Sequence, residues 1–173
     1  MKAGNKNIFL VGPMGAGKSS VGRYLAGRLN LEFFDTDEEI EKRTGVDIGW
    51  IFDLEGEDGF RKREESVVAD LVSSPGIVLA TGGGTILSPL CRSLLSSHGV
   101  VIYLEVSLQY QTARTVNDSR RPALRVSNRQ EVLEQLYRER EPIYRELADF
   151  KVSTDRRNVR AVSDDIIAWL GTG

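Results

Sequence analysis

The segment Gly12-Pro13-Met14-Gly15-Ala16-Gly17-Lys18-Ser19 follows directly on the apolar run Ile8-Phe9-Leu10-Val11. It narrows the possible folds more than any other part of the chain. It satisfies the pattern G-x-x-x-x-G-K-[ST] and lies between a buried strand and a helix, the setting in which that pattern forms a phosphate-binding loop. Its glycines let successive backbone N–H groups turn inward around an anion. Lys18 is placed to reach the outer phosphates of a nucleotide, and the Ser19 hydroxyl to ligate Mg²⁺. The next helix begins near Lys18 and adds the positive end of its dipole. Gly15, Ala16, Gly17, Lys18, Ser19 and Ser20 are therefore the expected nucleotide-binding residues, with ATP and Mg²⁺ as the expected ligands.

The 173 residues suffice for one α/β domain with its own core and are too few for two ordinary ones. A net charge of −2 argues against a general nucleic-acid binder. No apolar run approaches the roughly 18 residues of a membrane span. The short segment before the first strand reads as neither signal nor transit peptide. Cys91 is the only cysteine, so an internal disulfide and a cysteine-based zinc site are not expected. A cytoplasmic enzyme is the expectation, and a monomer, since no exposed apolar stripe stands out. Cys91 and Trp169 read as packing residues. His98 reads as a helix-end residue with no assigned role.

Strand and helix patterns alternate along the whole chain. Strands are expected at 7–11, 32–35, 77–81, 100–105 and 150–153. Helices are expected at 18–29, 36–43, 48–54, 57–72, 88–97, 107–116, 128–147 (interrupted by Pro142) and 159–170. Five strands separated by helices imply a parallel sheet covered on both faces. Ligands of such sheets bind beyond the carboxyl ends of the strands. That rule gathers the phosphate loop, Asp35-Thr36-Asp37, the triplet Gly82-Gly83-Gly84 and the segment after Glu105 onto one edge. Residues 117–127, without period and with a proline, read as a mobile loop.

Residues i and i+2 of an extended chain point the same way, so Asp35 and Asp37 are expected to face that edge together. One carboxylate would hold Mg²⁺ through water and the other accept the proton of an attacking hydroxyl. The glycine triplet offers bare backbone to a substrate held against the sheet. Arg61 lies on a helix with Glu64 and Glu65 three and four residues on, which would fix its side chain. Arg114, Arg120, Arg121, Arg125 and Arg129 crowd the loop region, and Arg140 precedes Pro142. Arg125, Arg129 and Arg138 read as a solvated face. The others suit an anionic substrate and a moving phosphoryl group, which the planar guanidinium fork matches.

Taken together, GPMGAGKS, the D-T-D pair, TGVDIGWIFDLEGEDGFRKREE, TGGGT, YLEVS, RRP and REPIYRE make the chain resemble the shikimate kinases over nearly its whole length. The resemblance implies a P-loop fold of the nucleoside-monophosphate-kinase-like type, with a substrate-binding segment at about 36–64 and a lid at about 116–128. It implies transfer of the γ-phosphate of ATP to the 3-hydroxyl of shikimate on the route to chorismate. By the same resemblance Asp37 would bind and deprotonate the hydroxyl, and Asp35 would orient the metal's water. Arg61, Arg140 and Gly83 would hold the acid, and Arg121 would reach the phosphates. Arg114 would stack on the adenine and the loop near Arg156-Arg157-Asn158 would line the adenine pocket, while Phe52 and Phe60 would pack beside the substrate ring. Ala123 and Val159 depart from the family pattern, where leucine and proline are common. Gluconate and nucleotide kinases are the nearest alternatives. A GTP-dependent switch would carry an N-K-x-D motif, which the sequence lacks.

Overall fold

The computed structural model describes residues 6–116, 124 and 127–172. Five parallel strands form one sheet: β1 Asn7–Val11, β2 Glu32–Asp35, β3 Ile77–Ala80, β4 Gly99–Glu105 and β5 Phe150–Ser153, in the spatial order β2-β3-β1-β4-β5. Seven α-helices are described: α1 Lys18–Leu29, α2 Thr36–Thr44, α3 Ile48–Val72, α4 Pro89–His98, α5 Leu108–Thr115, α6 Arg129–Leu147 and α7 Val159–Gly171.

β1 is central and buried on both sides, which explains its unbroken apolar run. Its side chains alternate between two cores. Phe9 and Val11 join Leu79, Val101 and Tyr103 under α3, α4 and α6. Ile8 and Leu10 join Val78 and Ile102 under α1 and α7, where Val21, Leu25, Val162 and Ile166 pack. Successive strands leave β1 in opposite directions, to β3 on one side and β4 on the other. The chain therefore has its switch point beside the phosphate loop, where such sheets bind ligands.

Most boundaries fall within a residue or two of expectation, and three differences have physical reasons. Pro142 does not interrupt α6, which continues from Arg129 to Leu147. Pro142 and Arg138 are both exposed, so the Arg138 carbonyl, deprived of its N–H partner, can turn to water. The helices expected at 48–54 and 57–72 meet end to end at Gly56, whose φ of 71° and ψ of −179° kink α3. Arg63 spans the kink with a two-pronged contact to Glu55, at 2.8 and 2.6 Å. Arg129 is not part of a solvated face: its guanidinium donates to the carbonyls of Thr115 and Val116, satisfying the C-terminal end of α5. Arg138 is exposed as expected, and Arg120 and Arg125 lie outside the described residues.

Cys91 is fully buried and Trp169 stacks on Phe150 at 5.0 Å, both in packing roles. His98 Nδ1 lies 2.8 Å from the Leu94 carbonyl at the end of α4. Trp50 and Leu54, one turn apart on α3, are 55% and 68% exposed, an apolar pair that the residue pattern does not single out. No helix among the described residues is long and apolar enough to cross a membrane.

Gly12 joins β1 to the phosphate loop with φ of 146°, and a Cβ there would come within 2.5 Å of the Leu104 carbonyl oxygen on β4. Backbone, not a yielding side chain, blocks the site. Gly12→Ala is expected to destabilise the fold by about 2 kcal/mol or more. Urea denaturation would report it as a lower midpoint at unchanged slope.

Candidate active site

The phosphate loop bends through positive φ at Gly12, Gly15 and Gly17 (146°, 80° and 88°), conformations that glycine adopts without strain. Gly17 is the N-cap of α1, and no side chain caps that end, leaving its first N–H groups to a ligand. Lys18 is buried, and its ammonium donates to the carbonyls of Gly12 (2.7 Å) and Pro13 (2.8 Å). Ser20 is exposed in the first turn of α1. The far wall comes from α5. Buried Gln111 donates to the Met14 carbonyl at 2.9 Å, and Arg114 bridges the carbonyls of Gly15 and Thr154, both at 3.0 Å. Arg114 thus lies against the phosphate loop. Arg157 turns away along α7, donating to the Ala161 carbonyl at 3.1 Å and pairing with Asp165 at 2.7 Å. Arg121 lies outside the described residues.

Asp35 and Asp37 are not two side chains of one strand, because β2 ends at Asp35 and α2 begins at Thr36. Asp35 is the N-cap: one carboxylate oxygen accepts from the N–H groups of Asp37 (2.9 Å) and Glu38 (3.1 Å). The other accepts from the Ser19 hydroxyl at 2.5 Å. Asp37 stands in the first turn of α2 beside Gly82, where its Oδ1 is 3.2 Å from the position of a Cβ on that glycine. Between them Thr36 is fully buried and accepts from the Gly82 N–H at 2.9 Å. Nothing in the sequence pattern names Gly82, 46 positions on, as the partner of Thr36.

Ser19 and Asp35 offer a hydroxyl and a carboxylate at one point of the phosphate loop, both hard oxygen donors. That set fits Mg²⁺, which takes few protein ligands and completes its octahedron with water and substrate phosphates. No group of three or more acidic, His or Cys side chains that would enclose a metal occurs among the described residues.

The glycine triplet serves by its lack of bulk rather than by unusual backbone angles. A Cβ on Gly84 would collide with the Arg61 guanidinium, its Cζ only 2.7 Å away. A Cβ on Gly83 would lie 3.4 Å from Arg140 Nη1 and 3.5 Å from the Met14 nitrogen. Two guanidinium groups therefore rest against adjacent glycines, at the doorstep of the phosphate loop. Arg61 is held by Glu64 at 2.8 Å and Glu57 at 3.4 Å, and lies over the Phe60 ring at 5.2 Å. Burial opposes its charge, but the Glu64 and Glu57 carboxylates together outweigh it and hold the guanidinium above its ordinary value. Glu64 is 1% exposed, and its second oxygen accepts from the Thr85 hydroxyl at 2.7 Å. Glu65, expected beside Arg61, accepts instead from Ser88, the cap of α4, at 2.6 Å. The Nε atoms of Arg61 and Arg140 are both buried without a hydrogen-bond partner. Phe52 and Phe60 pack together with ring centres 4.7 Å apart.

A parallel sheet with a phosphate loop at its switch point, faced by an acidic residue and two arginines, defines a small-molecule kinase of the P-loop class. The family model described as shikimate kinase matches residues 14–171, and the chain belongs to that family. The shikimate kinase of Alteromonas mediterranea is 56% identical over 98% of this chain and 99% of its own. That of Pseudoalteromonas translucida is 57% identical over 97% and 98%. Shikimate kinase from Acinetobacter baumannii in complex with shikimate superposes with a TM-score of 0.95 at 45% identity, covering 96% of this chain and 93% of that one.

Burial pushes the Cys91 thiol up to about 11, with the nearby Glu64 and Glu65 carboxylates adding to the rise. The thiol therefore stays protonated at neutral pH and becomes reactive only as pH approaches that value. At pH 8 a disulfide reagent should leave Cys91 unlabelled in the native protein and label it fully in denaturant.

Proposed function

We propose that this chain transfers the γ-phosphoryl group of ATP to the 3-hydroxyl of shikimate, in the biosynthesis of chorismate and the aromatic amino acids. The observation that carries the reading is the pair Arg61 and Arg140, set against Gly84 and Gly83 with buried, partnerless Nε atoms. A carboxylate is the ligand whose planar oxygens suit two such forks. The backbone of Met14 lies alongside, so an acid held there presents its ring to the donor loop.

In this reading Gly15, Ala16, Gly17, Ser19 and Ser20 wrap the nucleotide phosphates, and Lys18 leaves its loop carbonyls to neutralise their outer oxygens. Arg114 and the loop of Arg157 border the adenine. Asp37 accepts the proton of the acceptor hydroxyl as that oxygen bonds to the γ-phosphorus and the bond to the ADP oxygen breaks. Ser19, and Asp35 through water, would hold Mg²⁺, which when bound screens charge between the outer phosphates. Arg61, Arg140 and Gly83 fix the acid end, so catalysis is mainly orientation and charge stabilisation. The substrate-binding segment is about 36–64. Arg121, in a lid at about 116–128, completes the phosphate contacts. The single, buried Cys91 suits a reducing cytoplasm.

ADP release measured with shikimate, gluconate and nucleoside monophosphates should respond to shikimate alone. Lys18→Met should abolish it. Arg61→Ala is expected to raise the shikimate KM about a hundredfold with a smaller effect on kcat, as a lost charge-assisted pair requires. Normal shikimate saturation in that variant would remove Arg61 from the acid clamp.

A further inference from the structure

Tyr144 stands one turn after Arg140 on α6, so both side chains leave the same face of the helix. Its ring stacks on Tyr103 of β4, with centres 5.2 Å apart, and it is 2% exposed. Its hydroxyl donates to the Gly83 carbonyl. Burial pushes the phenol up to about 12, while the Arg140 guanidinium beside the phenol oxygen, and Arg61 after it, pull the other way. Tyr144 is therefore a neutral donor at any physiological pH, with one proton and one chosen acceptor.

The choice of acceptor matters for an anion. An untied Gly83 carbonyl beside two guanidiniums would compete for their N–H groups and present negative charge to a carboxylate. Bound to Tyr144, that oxygen is committed, and the N–H of the same peptide unit, on Gly84, points the opposite way. The phenol oxygen also lies beside the Arg140 guanidinium and ties it to the ring stack. Sequence position alone suggests a packing tyrosine; the hydrogen bond to the triplet makes it more than that.

We propose that Tyr144 is a positioning residue for the acid clamp, holding the Gly83 peptide and the Arg140 guanidinium in the arrangement that receives a carboxylate. The proposal rests on the shikimate kinase reading above. It predicts an effect on acceptor binding and not on the phosphoryl transfer, because the acid end binds equally in ground and transition states.

Tyr144→Phe keeps the ring stack and deletes only the hydroxyl. It should raise the shikimate KM about tenfold, the value of one buried hydrogen bond, with the ATP KM and kcat within twofold of wild type. Tyr103→Phe is the control: that hydroxyl is buried without a partner in the same stack, and its loss should leave all three constants unchanged. In the Arg140→Ala background, Tyr144→Phe should add little, since the group it positions is gone.

An unchanged shikimate KM in Tyr144→Phe would overturn the proposal, as would an equal effect from Tyr103→Phe. If Tyr144→Phe is less stable, the ratio of shikimate to ATP KM, measured well below its melting temperature, still decides. A proportional rise in both constants means a merely structural tyrosine. Failure of the wild-type chain to phosphorylate shikimate would refute the assigned activity instead, so the two failures are distinguishable.

Discussion

Everything in this fold follows from β1 being buried on both faces at the centre of a parallel sheet. A strand so placed has no exposed edge, and its alternating side chains must be apolar in both directions. Phe9 and Val11 enter one core, Ile8 and Leu10 the other. The neighbouring strands depart to opposite sides, so the chain leaving β1 enters a crevice with no strand to cover it. Backbone polar groups there need partners. The glycines turn their N–H groups into the crevice, and the Gly12 and Pro13 carbonyls take the Lys18 ammonium.

Charge around that crevice is arranged in partnered groups. Glu64 is almost wholly enclosed and is matched by Arg61, with Thr85 completing its hydrogen bonds. A buried carboxylate so satisfied is tolerated, and it fixes the orientation of the guanidinium. Glu57 adds a second carboxylate to Arg61, and Asp37 and Arg140 stand at the neighbouring glycines, so both signs of charge meet along the triplet. Asp35 performs a similar double duty on the donor side, capping α2 with one oxygen and holding Ser19 with the other. That single carboxylate ties the start of α2 to the phosphate loop.

The order of elements, the parallel sheet and its functional edge were legible because they rest on local periodicity and one tight motif. Asp35, Asp37, Arg61, Gly83, Arg114 and Arg140 are all drawn to that edge. What escaped the pattern are contacts between residues far apart in sequence. Thr36 meets Gly82 across 46 positions and Tyr144 meets Gly83 across 61. Neither threonine nor tyrosine carries a signature that names its partner. Arg129 was misread for the same reason: its neighbours in sequence suggest solvent, while its partners are the last carbonyls of a preceding helix. The paired-carboxylate argument for Asp35 and Asp37 failed at its premise, because strand geometry does not continue past an N-cap.

Glycine has two separate uses here, and the distinction bears on how the site is assembled. In the phosphate loop it supplies backbone angles that other residues adopt only under strain. In the triplet 82–84 no angle demands it; the space a Cβ would fill is taken by Asp37, Arg140 and Arg61 in turn. The first use shapes a cradle from main chain alone. The second lets charged side chains from α2, α3 and α6 converge on one stretch of backbone at van der Waals distance. Such a convergence is therefore a property of three helices meeting a bare strand end. Its precision depends on what holds the triplet still: Thr36 on one side and Tyr144 on the other.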